Sequence, residues 1–388
     1  MKKIVSILIV FVLLLSLCAC GSNGENVGSE KILSGNILNI SKYGNIMLTT
    51  TKEELAGNGF EFGDVVTVSF ADEKIDVPYC STYSDVDAGA TGLFGRFDDE
   101  TVTLAVNVGN FATIYNIADK INKEDKSYEW VYREGVDDTL VFEIKLKQKR
   151  GYYNEYVLRQ LSYSDEREDY PELSDEQFGN FRVVTTTGMG ENVLYRSATP
   201  VDPQKNRNTF VDAAARLHGI TVIIDLNDSE TTLAEFENFG SSYFATTEYI
   251  ALNMGLDFTE VDFKNKLRDG LKYMSEHEGI YLVHCLEGKD RTGFVIALLE
   301  FLMGATYSEA EDDYMITYYN YYGVKKGDEK YDIIASSNFE KNLLRSFGIT
   351  DIKNADLVRL STEYIKSIGL TDIEIATLKT NLLPNGIN

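Results

Sequence analysis

The sequence predicts a two-domain α/β protein, in which a small, mostly β domain precedes a larger domain built on a parallel sheet. Residues 31–120 hold short β-branched runs separated by glycines, a pattern typical of strands and turns. Residues 220–225 read ITVIID, a nearly unbroken apolar run that is typical of a buried parallel strand. A second apolar run, residues 280–283, leads into a short loop and then an apolar helix, which is the order of elements in an α/β sheet.

Composition supports a folded protein and limits its partners. The 388 residues are 44% hydrophobic and 25% charged, enough for two domains and a targeting segment. A net charge of −24 disfavours nucleic acid and anionic membrane surfaces as partners, so any affinity for phosphate must arise locally. Four cysteines without a CxxC pair and three scattered histidines give no disulfide framework or metal site. We therefore expect no metal and no cofactor.

The first 30 residues predict export. Residues 1–20 combine two lysines with an apolar stretch, as a signal peptide does, and residues 21–30 form a polar tether. Residues 17–20 read LCAC and resemble a bacterial lipobox with Cys20 as the acceptor. The resemblance implies a diacylglyceryl anchor on Cys20, a lipoprotein signal peptide and a location outside the cytoplasmic membrane. An ordinary cleaved signal peptide is the alternative.

Residues 31–164 are the predicted barrel-like β domain. The segments YGN at 43–45, YSDV at 83–86 and LAVNVGNFA at 104–112 resemble the C-terminal β-barrel of S-adenosylmethionine hydroxide adenosyltransferases. That family binds adenosine between this barrel and a partner domain, which is not recognisable here. Asn45 and its neighbours are therefore interpreted as a retained scaffold, with a nucleoside site as the alternative.

The end of the first domain is predicted from two features. Segments 139–147 and 152–161 each alternate between apolar and polar residues, and they flank a turn near Gly151. This pattern predicts a β-hairpin. The acidic run at residues 165–176 then predicts the domain boundary, which places the second domain at residues 165–388.

In the second domain, the periodicity predicts helices over 208–217, 263–277, 292–303, 309–322 and 363–383. The helix over 292–303 is apolar on nearly all faces and is expected to be buried. Asp225 and Asp228 fall at or just past the carboxyl end of the strand over 220–225, where open α/β sheets bind ligands.

Residues 284–293, which read HCLEGKDRTG, carry the predicted chemistry. Five residues separate Cys285 from Arg291, so the loop can form a ring of inward-pointing backbone N–H groups at a helix N-terminus, a site for a dianion such as phosphate. The same dipole and amides favour the thiolate of Cys285. The guanidinium of Arg291 matches two phosphate oxygens, and the thiolate beneath them is placed for in-line attack on phosphorus.

This decapeptide resembles the signature loop of cysteine-dependent phosphatases, in the form found in atypical bacterial tyrosine phosphatases. The segments around Asn180 and Arg196 resemble the entry to the same domain. The resemblance implies Cys285 as nucleophile, Arg291 as phosphate clamp, Thr292 as a hydrogen-bond partner of the thiolate and His284 as a support of the loop. The implied phosphate-binding residues are Leu286, Glu287, Gly288, Lys289, Asp290, Arg291 and Thr292.

Two departures from known patterns qualify the resemblance. The family usually has arginine where this chain has Asn227. The only tryptophan is Trp130, so the mobile Trp-Pro-Asp loop that supplies the acid in many cysteine phosphatases is missing from the sequence. A buried structural cysteine before a helix is the alternative interpretation of Cys285.

Asp290 is the predicted general acid, by resemblance to the loop aspartate of myotubularin-type lipid phosphatases. Asp257 and Asp262 are the other candidates, and Asp290 could instead brace the loop through hydrogen bonds. Lys289 resembles loop lysines that bind a second phosphate, or it is a solvated charge.

The sequence thus predicts a phosphatase that hydrolyses phosphotyrosine through a cysteinyl-phosphate intermediate, with a phosphorylated protein as partner. A phosphoinositide or another polyphosphorylated small molecule is the alternative substrate. A second alternative makes the barrel a nucleoside-binding or peptide-binding module with the phosphatase as its effector. The competing class is a non-catalytic phosphate-binding module.

Overall fold

The structure is a computed structural model that describes residues 32–383, and it divides into two compact units, one ending at Gly151 and one beginning at Tyr152. The predicted signal peptide, the tether and Cys20 lie outside the described residues. Within residues 32–383, no helix combines the length and apolarity that crossing a membrane requires.

The first unit is mostly β, as predicted. Its strands are β1 (Ile32–Gly35), β2 (Ile37–Ile40), β3 (Ile46–Thr51), β4 (Val65–Phe70), β5 (Glu73–Cys80), β6 (Thr91–Phe94), β7 (Thr101–Val106), β8 (Ala118–Asn122), β9 (Tyr128–Tyr132) and β10 (Phe142–Gln148). Eight of them form one sheet of order β1-β10-β4-β5-β6-β7-β3-β2, antiparallel except where β5 meets β6, and β8 pairs with β9 in a separate two-stranded sheet. Two short helices, α1 (Lys52–Gly57) and α2 (Phe111–Ile114), complete it. The prediction of a small barrel-like β domain is confirmed.

The hairpin predicted around Gly151 is wrong. β10 pairs with β1 and β4, and the segment after Gly151 forms a helix, α3 (Tyr153–Arg159). Leu158 and Leu161 pack against the core of the second unit, and their spacing of three residues is helical. The alternation of tyrosines with polar residues suggested a strand, but tertiary packing selects the helix. The units accordingly divide between residues 151 and 152, earlier than the predicted boundary between 164 and 165.

The second unit contains a five-stranded sheet made of β11 (Arg182–Val183), β12 (Leu194–Ser197), β13 (Val222–Asp225), β14 (Glu248–Ala251) and β15 (Tyr281–His284). The strand order is β11-β12-β15-β13-β14, and all neighbours are parallel except β11 and β12. The central strand, β15, pairs His284 with Ser197 on one side and with Asp225 on the other. This confirms the predicted parallel sheet with the signature loop after its central strand.

Helices surround this sheet. They are α4 (Asp175–Phe178), α5 (Asn208–Leu217), α6 (Glu230–Glu235), α7 (Val261–Glu276), α8 (Asp290–Met303), α9 (Tyr307–Tyr322), α10 (Glu329–Ile334), α11 (Lys341–Phe347), α12 (Leu357–Ser367) and α13 (Asp372–Asn381). A π-helical turn, Ala335–Glu340, joins α10 to α11. Helix α8 is buried along most of its length, as its all-round apolarity predicts. The last predicted helix is two helices, because Gly369, at φ +114°, separates α12 from α13.

Candidate active site

The signature loop connects the end of β15 to the start of α8, so it lies at the N-terminus of a buried helix, a position that favours anion binding. Cys285 begins the loop and is 3% exposed. Gly288 has φ +68°, and a Cβ there would lie 2.2 Å from the carbonyl oxygen of Ser197. Glycine is therefore required at this position for both conformation and space.

Buried polar side chains hold the loop in place. Asn180 Nδ2 donates to the Glu287 carbonyl at 3.0 Å, and Arg196 Nη2 donates to the Gly288 carbonyl at 2.9 Å. Asp313 on α9 accepts from Arg196 at 2.5 Å and from Arg182 at 2.9 Å. Burial favours the neutral form of Asp313, but the two guanidinium charges outweigh it and lower its pKa. Asn180, Arg182 and Arg196 are thus positioning residues of the loop.

From sequence, Asn180 and Arg196 stand out only as part of a family resemblance, which assigns them no role. The available signal was Arg196 itself, because it is a charged residue in the fully buried strand β12, where it is 1% exposed. Buried arginines require partners, so this arginine could have been flagged as part of a network. Its partner Asp313 lies 117 residues away, and only the fold identifies it.

Arg291 is oriented by the segments that follow β13 and β14. Its Nη1 donates to the carbonyls of Leu226, at 3.3 Å, and Met254, at 3.1 Å, while Nη2 donates to Asn227 Oδ1 at 2.8 Å. Asn227, which stands where the family usually has arginine, therefore helps to set the orientation of Arg291. The Nε of Arg291 is buried without a hydrogen-bond partner within residues 32–383.

Thr292 does not make the predicted hydrogen bond to the cysteine sulfur. Its hydroxyl is buried and has no hydrogen-bond partner in the described part of the chain. His284 supports the loop weakly, with Nδ1 3.5 Å from the Cys285 carbonyl oxygen. Burial lowers the pKa of His284 to about 4, so the ring is neutral near pH 7 and its 3.8 Å approach to Asp225 is not an ion pair.

Asp290 alone, of the three candidate acids, lines the cavity beside the loop. Its side chain is 41% exposed, and desolvation raises its pKa against the opposing charge of Lys289. A raised pKa favours the protonated carboxyl that a general acid needs. Asp257 instead accepts from Thr259, which lowers its pKa, and also bonds Arg345; Asp262 is paired with Lys266 at 2.9 Å.

The cavity has a volume of about 430 Å³ and a mixed lining. The apolar lining residues are Leu158, Leu161, Leu256 and Phe258. The others are Tyr318, Tyr322, Asn338 and Asn342, together with Lys289 and Asp290 of the loop. Asn338 lies in the π-helical turn and donates to the Tyr318 hydroxyl at 2.8 Å. The lining therefore offers both apolar contact and hydrogen-bonding groups to a ligand.

Lys289 is not a solvated charge. Its side chain is 17% exposed, and Nζ lies 2.8 Å from Glu287 Oε2 and 4.0 Å from Asp290 Oδ2. It also donates to the Tyr322 hydroxyl at 3.3 Å.

Residues 177–384, more than half of the chain, match the family model described as the tyrosine phosphatase family. The chain belongs to this family. It is therefore a phosphatase by family, and the resemblance drawn from its signature loop is confirmed. Residues 35–122 match the C-terminal domain of S-adenosylmethionine hydroxide adenosyltransferases, which confirms the second resemblance.

Solved structures add only distant likenesses. An uncharacterized conserved protein from Thermotoga maritima is 17% identical at a TM-score of 0.23; the match covers 29% of this chain and 35% of that one. The core catalytic domain of the PP-IP phosphatase SIW14 from S. cerevisiae is 18% identical at a TM-score of 0.26, covering 42% and 93%. The Yvh1 phosphatase domain from Chaetomium thermophilum is 14% identical at a TM-score of 0.22, covering 49% and 90%. No curated protein matches the chain.

Proposed function

We propose that this phosphatase hydrolyses phosphotyrosine monoesters through a cysteinyl-phosphate intermediate. The observation that carries the proposal is the placement of Cys285 and Arg291 at opposite ends of one braced loop on a buried helix N-terminus. Helix-terminal amides stabilise both a thiolate and a bound dianion.

In the first step, the Cys285 sulfur attacks phosphorus, the S–P bond forms and the P–O bond to the leaving group breaks. Asp290 gives its proton to the departing oxygen. In the second step, Asp290, now a carboxylate, takes a proton from water as the water oxygen attacks phosphorus and the S–P bond breaks. Inorganic phosphate leaves and the thiolate is restored. Arg291 binds two phosphate oxygens throughout.

An aromatic leaving group fits the cavity best. Binding an aromatic ring against the three leucines and Phe258 of the lining removes apolar surface from water, which is favourable, whereas a polyhydroxylated ring gains little from such side chains. Among residues 32–383, Lys289 is the one lysine or arginine that lines the cavity, and it is already paired with Glu287. These two features support an aryl phosphate.

A phosphoinositide is the second candidate, and Lys289 is the residue that favours it, because its side chain lines the cavity within reach of a ring substituent. Under this alternative, activity on the lipid would be lost in Lys289→Met while activity on phosphotyrosine would remain. Equal effects on both substrates would remove Lys289 as a lipid-selective group.

A panel of phosphotyrosyl peptides and phosphoinositides, assayed with the wild type and Cys285→Ser, tests the main proposal. We expect turnover of a phosphotyrosyl peptide, lowered by about four orders of magnitude or more in Cys285→Ser. Cys80→Ser is the matched control, since Cys80 is also a buried cysteine but lies in the first unit. Equal activity of the wild type and Cys285→Ser would contradict the mechanism.

We also propose that Cys20 is lipidated and anchors the protein outside the cytoplasmic membrane, on the strength of the LCAC sequence at residues 17–20. Cys20→Ser should then appear in the soluble fraction of cells, with Cys18→Ser remaining in the membrane fraction. Membrane retention of Cys20→Ser would contradict the anchor.

A further inference from the structure

The carboxylate of Glu287 holds the ammonium of Lys289 at the edge of the cavity. The two groups are 2.8 Å apart, and their side chains are mostly buried, with exposed fractions of 21% and 17%. Lys289 lines the cavity, whereas Glu287 is not among the lining residues. The ammonium therefore lies between a carboxylate and the space that a substrate would occupy.

A second layer of side chains fixes Glu287. The Tyr163 hydroxyl donates to Glu287 Oε1 at 2.5 Å, and Lys205 Nζ donates to the same hydroxyl oxygen at 2.5 Å. Lys205 also pairs with Asp165 at 3.1 Å. Turning Glu287 away from Lys289 would break the bond from Tyr163. Tyr163 and Asp165 precede residues 177–384, so this support comes from a part of the chain outside the family match.

Both members of the pair are charged at neutral pH. Burial acts to raise the pKa of Glu287, but the charge of Lys289 and hydrogen bonds from Lys289 and Tyr163 outweigh it and leave the pKa low. Burial acts to lower the pKa of Lys289, but the charges of Asp290 and Glu287 outweigh it and raise the pKa. The pair thus presents a compensated charge.

We propose that Glu287 is a specificity-determining residue that disfavours substrates carrying a second phosphate near the reacting one. A second phosphate needs a cation, and beside the loop that cation would be Lys289. To bind it, the phosphate must displace Glu287 or lie close to its negative charge, and like charges at short range oppose binding. The inference rests on the proposed phosphatase activity and defines its substrate class as esters with a single phosphate.

The test compares two short-chain lipids, phosphatidylinositol 5-phosphate and phosphatidylinositol 4,5-bisphosphate, using the full chain. We expect Glu287→Gln to raise the ratio of kcat/KM for the bisphosphate over the monophosphate by about tenfold or more, the scale of one charge-assisted hydrogen bond. Glutamine retains an oxygen that can accept from Tyr163, so the loop keeps its support. The gain should shrink at high salt and vanish in the double variant Glu287→Gln, Lys289→Met.

Glu363→Gln is the matched control, because Glu363 is also paired with a cation, Arg359, but is 58% exposed and lies on α12. An unchanged ratio in Glu287→Gln, or a gain that survives Lys289→Met, overturns the inference. If the wild type turns over a phosphotyrosyl peptide but neither lipid, the ratio of the two lipid Kd values, measured in Cys285→Ser with and without Glu287→Gln, tests the inference in place of kcat/KM. If the wild type turns over no phosphate ester at all, the proposed function fails, and the same Kd ratio still tests the inference.

Discussion

The two units of this protein treat buried polar groups differently. In the first unit, Asp64 is fully buried, and it accepts backbone N–H bonds from Glu61 at 2.8 Å and Arg150 at 2.7 Å and pairs with Lys149 at 3.2 Å. Buried side-chain polar atoms without a hydrogen-bond partner within residues 32–383 lie mostly in the second unit, with Thr50 Oγ1 as the example in the first. Those around the signature loop are Asp225 Oδ2, Asp228 Oδ2, His284 Nε2, Arg291 Nε and Thr292 Oγ1.

This difference distinguishes buried polar groups that stabilise the fold from buried polar groups that are available for binding or catalysis. A carboxylate whose oxygens are all bonded closes a turn and contributes stability. Buried groups without partners cost stability, and folded proteins retain them mainly where they serve another purpose. Burial raises the pKa of both Asp225 and Asp228 to about 6, a sign of the same cost. Substitutions in the two units should therefore affect different quantities.

The largest expected effect on kcat is that of Arg291→Lys. Lysine keeps the positive charge but loses the planar fork and the donors to Leu226, Met254 and Asn227, so kcat should fall by about a hundredfold or more. Steady-state kinetics on a phosphotyrosyl peptide measures it. Arg359→Lys, at a 59% exposed side chain on α12, is the control and should retain wild-type kcat. Similar rates for both variants would contradict the role of Arg291.

Asp290→Asn should have an effect that depends on the leaving group. With phenyl phosphate, whose leaving group is poor, the rate should fall by about a hundredfold, and with a good leaving group such as p-nitrophenol the loss should be smaller. A general acid works when protonated, so wild-type activity should fall as pH rises through the pKa of Asp290. Because burial raises that pKa, the fall occurs at higher pH than for an ordinary carboxyl.

In Asp290→Asn the alkaline fall that Asp290 causes should disappear from the pH–rate profile. Asp257→Asn and Asp262→Asn are controls, since both residues lie outside the cavity lining. A rate loss in either control that is larger for the poor leaving group than for the good one, with Asp290→Asn unaffected, would move the acid to that residue.

The smallest effect on activity is expected in the first unit. Asp64→Asn replaces one accepting oxygen by a donor facing backbone N–H groups, which should lower the free energy of unfolding by about 1–3 kcal/mol. Denaturant unfolding of the full chain measures this, and kcat of the folded protein should not change. Asp72→Asn, at an exposed turn of the same unit, should leave both quantities unchanged. A fall in kcat for Asp64→Asn would show that the units do not behave separately.

The loop decapeptide determined the family, the place of the loop after the central strand and the candidate residues Cys285 and Arg291, because its chemistry depends on neighbours in sequence. Apolar runs likewise determined the parallel sheet, since a strand buried on both faces needs one. Periodicity failed at residues 152–161, where a segment of mixed pattern took the structure that its partners required. The roles of Asp257, Asp262 and Asp290 were also open from sequence alone.

What only the tertiary structure decided is the set of partners. Arg196 meets Asp313, Asn227 meets Arg291, and Tyr163 meets Glu287 across separations of 64 to 124 residues. Local sequence does not identify such pairs, because their members are far apart in the chain and become neighbours only when it folds. The sequence therefore established which groups could do chemistry, and the fold established how each is oriented, charged and restrained.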